Sequence, residues 1–94
     1  MAKYEMLYLL NNDLVDEAKT ALIEKYENIV KNMNGAILST DKVGAKKLAY
    51  PIKFKNEAYY VLSTFEAEGS VVNELNRIAR IDSDVYRMIV TKKA

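Results

Sequence analysis

Residues 58–67 read AYYVLSTFEA, and this stretch carries the clearest strand signal in the sequence. It is dense in β-branched and aromatic residues, which suit the pleated, half-buried surface of a sheet. Asn56-Glu57 before it favours a turn, and Ser70 after it is a residue type that often caps the start of a helix. The stretch therefore predicts a strand that is entered from a turn and followed by a helix.

The chain beyond this strand predicts one helix and a final strand. Apolar residues recur there at helical spacing, which indicates one buried helical stripe. The residues of that stripe are Val71, Val72, Leu75, Ile78 and Ala79. Residues 82–84 (DSD) end the helical pattern, and residues 85–91 (VYRMIVT) are typical of a strand.

The beginning of the chain predicts a strand and a longer helix. Residues 3–10 alternate between two faces, one of which is wholly apolar or aromatic. Residues 14–33 show the helical spacing of apolar side chains. Asp13 is placed to cap that helix, and Asn34-Gly35 is placed to end it, because Gly tolerates the left-handed conformation of a C-terminal cap.

The middle of the chain predicts an interrupted second strand. Residues 36–40 begin it, and residues 48–52 resume the extended pattern. Residues 41–47 between them are interpreted as a loop, or a bulged and flexible stretch around Gly44. Pro51 cannot donate a backbone hydrogen bond, so it places the resumed strand at a sheet edge or at a bulge.

The resulting element order is β-α-β-β-α-β, which predicts an α+β, ferredoxin-like fold. Right-handed crossovers then place both helices on one face of a four-stranded antiparallel sheet. A chain of 94 residues suits one domain, and we expect a single domain over residues 1–94. The other sheet face is left uncovered, and an apolar face of this kind requires a partner. Alternation assigns to it Lys3, Leu7, Leu9, Tyr60, Leu62, Arg87 and Ile89.

The formal net charge is only +1, so total charge does not indicate a nucleic-acid-binding protein. The distribution is more informative, because residues 42–55 contain several lysines and no acidic residue. A second group of basic residues lies near the C-terminus. Two interpretations remain open: well-solvated faces with a lysine-rich loop, or a basic surface that faces phosphates.

Residue types exclude most catalytic chemistry. The sequence contains no Cys and no His, which removes the usual nucleophile–base pairs and the usual zinc ligands. The three glycines are scattered and form no phosphate-binding loop. The carboxylate pairs are better explained as helix ends, strand edges and turns. We therefore predict no enzymatic activity, metal, cofactor or small-molecule substrate.

The sequence also indicates a cellular location. It holds no apolar run near the roughly 20 residues that a membrane-spanning helix needs. Its start enters a strand pattern almost at once, without the layout of a signal peptide. Together with the absence of Cys, these features predict a cytoplasmic protein with no membrane partner.

One motif goes beyond periodicity. Residues 44–52 read GAKKLAYPI, and this block resembles the signature of the bacterial small-subunit ribosomal protein six family. The opening Tyr4-Glu5, the strand ending in residues 65–67 (FEA) and the closing residues 85–90 (VYRMIV) are similar to the family in order and spacing. The resemblance covers essentially residues 3–93.

The resemblance implies a structural component of the small ribosomal subunit, located in the cytoplasmic ribosome. Such a protein binds the central domain of small-subunit ribosomal RNA jointly with small-subunit protein eighteen. One departure concerns Lys46 and Lys47, which stand where many family members carry Arg. Lys keeps the charge but loses the bidentate geometry of a guanidinium.

Two sets of candidate contact residues follow. The candidate RNA contacts are basic and lie on the open face, in the lysine-rich stretch or at the tail: Lys3, Lys46, Lys47, Lys53, Arg80, Arg87, Lys92 and Lys93. The candidate partner contacts are apolar or aromatic and lie on the Pro-marked strand and its neighbour: Leu48, Tyr50, Ile52, Tyr60 and Leu62. An alternative from another class is a self-associating, ligand-sensing domain that uses the same face.

Overall fold

The computed structural model describes residues 2–52 and 55–93, and within them the chain forms four strands and two helices. The elements are β1 (Ala2–Leu10), α1 (Asp16–Asn32), β2 (Ala36–Ile52), β3 (Lys55–Ala67), α2 (Gly69–Ile81) and β4 (Val85–Lys92). The strands form one antiparallel sheet in the order β2-β3-β1-β4. The predicted α+β, ferredoxin-like fold is confirmed. Lys53, a candidate RNA contact, lies outside the described residues.

The core lies between one sheet face and both helices. The strand residues whose alternation predicted a wholly apolar face, such as Met6 and Tyr8, are fully buried there. Tyr26 of α1 and Leu75 of α2 belong to the same buried cluster. The rings of Tyr8 and Tyr26 pack with their centroids 5.7 Å apart. Because both helices share this cluster, the opposite sheet face is left without a helix.

The helix ends differ from the sequence prediction. Val15 and Glu68 occupy the N-cap positions of α1 and α2, and neither makes a side-chain capping bond. Asp13 instead forms an ion pair with Lys55 of β3. At the end of α1, Asn34 and not glycine adopts the left-handed conformation, with φ 67°. At Asp13, a tertiary ion pair therefore takes the place of the predicted capping bond.

Strand β2 is continuous over 17 residues, so the predicted loop at residues 41–47 is wrong. The alternative of a bulge is right, because the register with β3 shifts between Lys42 and Gly44. Gly44 lies at this shift with φ 105°, a conformation that favours glycine. The register also shifts between Ile37 and Ser39, before this bulge, and between Lys47 and Ile52, where Pro51 interrupts the ladder.

The β2–β3 hairpin extends beyond the rest of the sheet. Strand β1 ends at Leu10, which pairs with Tyr59 of β3. Residues 46–52 and 55–58 therefore continue past the end of β1, and we call them the hairpin arm. The arm carries the GAKKLAYPI block from its third residue onward.

Candidate interaction surface on the open sheet face

The register of the sheet defines the open face. Leu7 of β1 lies between Leu62 of β3 and Ile89 of β4. The next row on the same face places Leu9 between Tyr60 and Arg87. These rows match the face that alternation predicted, and they form an apolar stripe across the sheet that ends in a guanidinium.

One end of this face is covered and the other is exposed. Leu9 is only 5% exposed and Ala58 is fully buried, although neither belongs to the main core cluster. Ala58 belongs to the hairpin arm, and Leu9 lies one row away from it. Ile89, one row further from the arm, is 46% exposed. The apolar side chains of the stripe are therefore buried near the arm and exposed at β4.

A contact between Tyr50 and Arg87 crosses this face. The Arg87 Nη2 atom donates to the Tyr50 hydroxyl at 2.8 Å, and the guanidinium lies 5.7 Å from the centre of the ring. Tyr50 belongs to β2 and Arg87 to β4, the two edge strands of the sheet. Arg87 shares a row with Gly44 of β2, and Tyr50 lies beyond that row on the hairpin arm, so the contact joins the arm to the far edge of the sheet.

An irregularity in β4 determines the sheet face on which Arg87 lies. The pairing of β1 with β4 shifts between Leu9 and Leu10, so that Leu10 faces Val85 while Leu9 faces Arg87. One step along β1 therefore corresponds to two steps along β4, which is the pairing pattern of a β-bulge. Bulges redirect side chains at sheet edges, and this one sets Arg87 on the open face in register with Leu9.

The turn that precedes this bulge is held by Asp82. One carboxylate oxygen of Asp82 accepts bonds from Lys25 Nζ and the Tyr26 hydroxyl, each at 3.1 Å. The other accepts the backbone N–H of Asp84 at 3.1 Å. Burial alone would raise the pKa of Asp82, but these three donors lower it below its usual range. Asp82 therefore ties α1 to the turn from which β4 and Arg87 start.

A second cation lies near the same end of the face. Lys46 Nζ lies 6.0 Å from the centre of the Tyr60 ring, within the range of a cation–π contact. Lys46 is exposed, and Tyr60 is half-buried beside Leu9. Lys47 follows on the arm opposite Glu57. The arm end of the face thus combines two aromatic rings, Tyr50 and Tyr60, with cationic side chains.

The other candidate cations are spread around the molecule. Lys3 and Lys93 lie at the far end of the open face, where the Lys93 N–H donates to the Lys3 carbonyl at 2.8 Å. Lys93 Nζ also lies 3.5 Å from a carboxylate oxygen of Glu5. Lys3 is six residues from Leu9 along β1, or about 20 Å at strand spacing. This pair is therefore distant from Arg87.

Two more candidates fall outside this face. Lys92 pairs with Tyr4, whose ring belongs to the helix-covered side, and its own side chain is exposed. Arg80 is exposed on α2. The structure thus places Lys46 and Arg87 at the arm end of the open face, on its two edge strands, places Lys3 and Lys93 at the far end, and leaves the rest outside the face.

The candidate partner residues fall into two sets that adjoin one another. Leu48 and Ile52 are half-buried on the arm, where Tyr50 is 55% exposed. Tyr60 and Leu62 are half-buried on the face. Sequence reasoning placed these residues near each other but missed the contact of Tyr50 with Arg87. Alternation carried no signal for it, because the contact depends on two register shifts in separate strands.

Neither helix in residues 2–52 and 55–93 is long and apolar enough to cross a membrane. The same residues hold no group of three or more side chains arranged to bind a metal ion.

The fold and this surface define a class of small ferredoxin-like domains that leave one apolar, aromatic sheet face without a helix. Comparison with known proteins identifies the family within that class. The family model described as Ribosomal protein S6 matches residues 3–92. The chain belongs to the ribosomal protein S6 family.

Individual relatives agree with this assignment. Small ribosomal subunit protein bS6 of Caldanaerobacter subterraneus subsp. tengcongensis is 40% identical over 92 residues, which cover 98% of this chain and 97% of the relative. The protein of the same name from Clostridium kluyveri is 41% identical with the same coverage. The crystal structure of 30S ribosomal protein S6 from Thermotoga maritima superimposes with a TM-score of 0.92 at 25% identity and covers 98% of this chain and 87% of that one. The predicted family and ribosomal location are confirmed at the level of the family.

Proposed function

We propose that this chain is a non-catalytic component of the small ribosomal subunit that binds the central domain of small-subunit ribosomal RNA jointly with small-subunit protein eighteen. The relatives named above are small ribosomal subunit proteins, which supports the ribosomal role. The observation that carries the joint mechanism is the contact of Tyr50 with Arg87. It sets a candidate partner residue and a candidate RNA residue side by side at the end of an uncovered apolar stripe.

The two ligands would use different parts of one surface. Lys46 and Arg87 supply positive charge for phosphates, and phosphate contacts position a protein on RNA without reading its sequence. Leu62, Tyr60 and Tyr50 supply apolar and aromatic area, which suits a protein partner. Tyr50 is 55% exposed at the end of this surface, and Tyr is one of the residue types that contribute most to binding at protein interfaces.

Joint binding also accounts for the small net charge. A protein that neutralises many phosphates by itself usually carries a strong positive charge, whereas this chain carries +1. If RNA is bound together with a second protein, each needs fewer cations, and the shared surface between them can remain apolar. The separation of Lys3 and Lys93 from Arg87 limits the number of phosphates that one short RNA segment would meet on this chain alone.

The test is a binding measurement with a central-domain fragment of small-subunit ribosomal RNA, with and without small-subunit protein eighteen, at two salt concentrations. We expect tight binding only when protein eighteen is present. The logarithm of the binding constant should fall by about 0.7 to 0.9 per phosphate contact for each tenfold rise in salt. Absence of binding under both conditions, or a flat salt response, would contradict the proposal.

A substitution tests the partner surface within the same measurement. Tyr50→Asp places a charge within the proposed interface and should abolish pairing with protein eighteen, while the circular dichroism spectrum stays unchanged. Leu38→Asp is the matched control, because Leu38 is a 46% exposed apolar residue near the other end of the same strand. Loss of pairing in both variants, or in neither, would discard this surface. A stable homodimer in sedimentation would favour self-association through the open face instead.

A further inference from the structure

The hairpin arm extends beyond the support of the central strand. Its backbone ladder joins β2 to β3 past the point where β1 ends. A two-stranded hairpin by itself is only marginally stable in water, so side-chain contacts decide where such an arm points. We propose that the ion pair of Lys55 with Asp13 positions the arm, and so holds Tyr50 in place for small-subunit protein eighteen. This inference rests on the proposed function and adds positioning residues to its partner surface.

The ion pair joins the arm to a distant part of the chain. Lys55 is the first residue of β3, and Asp13 lies in the loop between β1 and α1, 42 residues earlier. Lys55 Nζ donates to a carboxylate oxygen of Asp13, and this bond raises the pKa of Lys55 above its usual range. Both side chains are exposed, so salt in the solvent weakens their attraction.

The loop that carries Asp13 is anchored to the turn before β4. The Asn11 N–H donates to the Asp84 carbonyl oxygen at 2.8 Å, and the Asn11 side-chain amide donates to the Asp84 carboxylate at 3.3 Å. The side-chain oxygen of Asn11 accepts the backbone N–H of Asp13 at 3.0 Å. Asp13 therefore offers the arm a point of attachment that is itself bonded to the body of the domain.

Two contacts hold the arm from different elements. Arg87 of β4 bonds Tyr50 across the open face, whereas Asp13 bonds Lys55 from the loop that leads into α1. An arm that is held at one point can still turn about that point, but two separate attachments define one orientation. Loss of the Lys55 contact should therefore leave several orientations, only one of which presents Tyr50 correctly. The apparent affinity of a partner falls with the fraction of molecules in the binding orientation.

The experiment is a calorimetric titration of the full chain with small-subunit protein eighteen, without RNA. Lys55→Asp sets two carboxylates against each other and should weaken pairing about tenfold, which means that the arm holds the binding orientation about a tenth of the time. This loss should shrink as the salt concentration rises, because salt screens the repulsion. Combining Asp13→Lys with Lys55→Asp restores an ion pair of reversed polarity and should return the affinity to within about twofold of the parent.

Lys42→Asp is the matched control. It makes the same change of charge on an exposed residue of the same hairpin, but Lys42 pairs with Val61 beside β1 and not within the arm. Its affinity for protein eighteen should equal that of the parent. If the reversed pair binds as weakly as Lys55→Asp alone, Lys55 acts through its own charge and the inference fails. Equal affinities of Lys55→Asp and the parent, or equal losses in Lys55→Asp and Lys42→Asp, would also overturn it.

NMR of the free, isotope-labelled chain separates this inference from the proposed function. Lys55→Asp should lower the heteronuclear Overhauser effects of the arm amides, and the reversed pair should restore them. It should also move the Arg87 guanidinium signals towards their positions in Tyr50→Phe, which lacks the accepting hydroxyl. If these changes occur but the parent does not pair with protein eighteen, the proposed function fails and the positioning of the arm stands. Unchanged arm and Arg87 signals would overturn the positioning role, whatever the partner does.

Discussion

Asp82 shows how one side chain positions a candidate site that it does not enter. It accepts bonds from Lys25, from Tyr26 and from the backbone of Asp84. These bonds join α1 to the turn before β4. Arg87 lies only a few residues further on, after a bulge whose register depends on where that turn ends. A carboxylate far from the open face thus influences which side chain the face presents.

The first prediction at this scale concerns Asp82→Asn. The pKa of Asp82 is lower in the folded chain than in the unfolded chain, so its stabilisation is fully present above the ordinary carboxyl pKa of about 3.9. It is lost as pH falls through the folded-state value. We expect the variant to lower the free energy of unfolding by about 1–3 kcal/mol at pH 7. The difference should shrink towards pH 3, as measured by urea denaturation at pH 7, 5 and 3.

Glu74→Gln is the control for Asp82→Asn. Glu74 pairs with Arg77 on the exposed side of α2, and that bond lowers the pKa of Glu74 as well. Exposed pairs contribute little to stability, so the denaturation midpoint should hardly move at any pH. A difference for Asp82→Asn that stays constant from pH 7 to pH 3 would show that shape, and not charge, is what the turn requires.

The sequence predicted most individual positions on the open face but not their contacts. Alternation placed Leu7, Tyr60 and Arg87 together because side chains in a strand have a period of two. It could not place Tyr50, because the register of β2 shifts twice before that residue is reached. It also treated Leu9 as an open-face residue without showing that Leu9 is buried. Burial depends on what lies above a side chain, which a single strand pattern does not contain.

At the scale of elements, strand β2 is where sequence reasoning was weakest. The lysines and Gly44 in residues 41–47 are poor strand formers, and they indicated a loop. The structure shows a strand there, because β3 supplies a long, strongly β-forming partner that pairs with this stretch. The strand propensity of a segment predicts little when a neighbouring strand offers it a full set of backbone hydrogen bonds. The helices were predicted well, since their buried stripes follow one period throughout.

The glycines of the chain provide the prediction at this scale. Gly44→Ala should destabilise the protein by about 1–3 kcal/mol through backbone strain alone, because φ is 105° and no atom lies within 4 Å of the added methyl group. Gly35→Ala should destabilise it by steric overlap, because a Cβ atom there would lie 2.6 Å from Val30 Cγ1 and 2.9 Å from the Glu66 carbonyl oxygen. Thermal denaturation of both variants measures the two costs.

Gly69→Ala is the matched control for this pair. A Cβ atom at Gly69 would meet only the Tyr4 hydroxyl, at 3.9 Å, which is an ordinary contact. Ala is the better helix former, so this variant should be as stable as the parent or up to about 1 kcal/mol more stable. If Gly44→Ala proved neutral, the bulge in β2 would not require a left-handed residue, and the shape of the hairpin arm would need another cause.

For the whole molecule, the element order was enough to predict the architecture. Two crossovers of the same hand, each containing a helix, leave few ways to arrange four strands, and both helices must share one face. The sequence therefore predicted that one sheet face is uncovered. It could not predict that a side-chain contact joins the two edge strands across that face. This link decides whether the candidate RNA residues and the candidate partner residues behave independently.

The last prediction concerns that link between the sheet edges. Tyr50→Phe keeps the ring beneath the Arg87 guanidinium but removes the hydroxyl that accepts its bond, and Arg87→Gln removes the guanidinium. In a double-mutant cycle on the free energy of unfolding, the two changes should be non-additive by about 0.5–1 kcal/mol, because the bond is exposed but charge-assisted. Tyr50→Phe combined with Lys93→Gln should be additive, since Lys93 lies at the far end of the face, paired with Glu5. Additivity in both cycles would mean that the two sheet edges contribute to stability independently, although Tyr50 and Arg87 are in contact. Non-additivity limited to the first cycle would show that the Tyr50–Arg87 bond couples the two sheet edges.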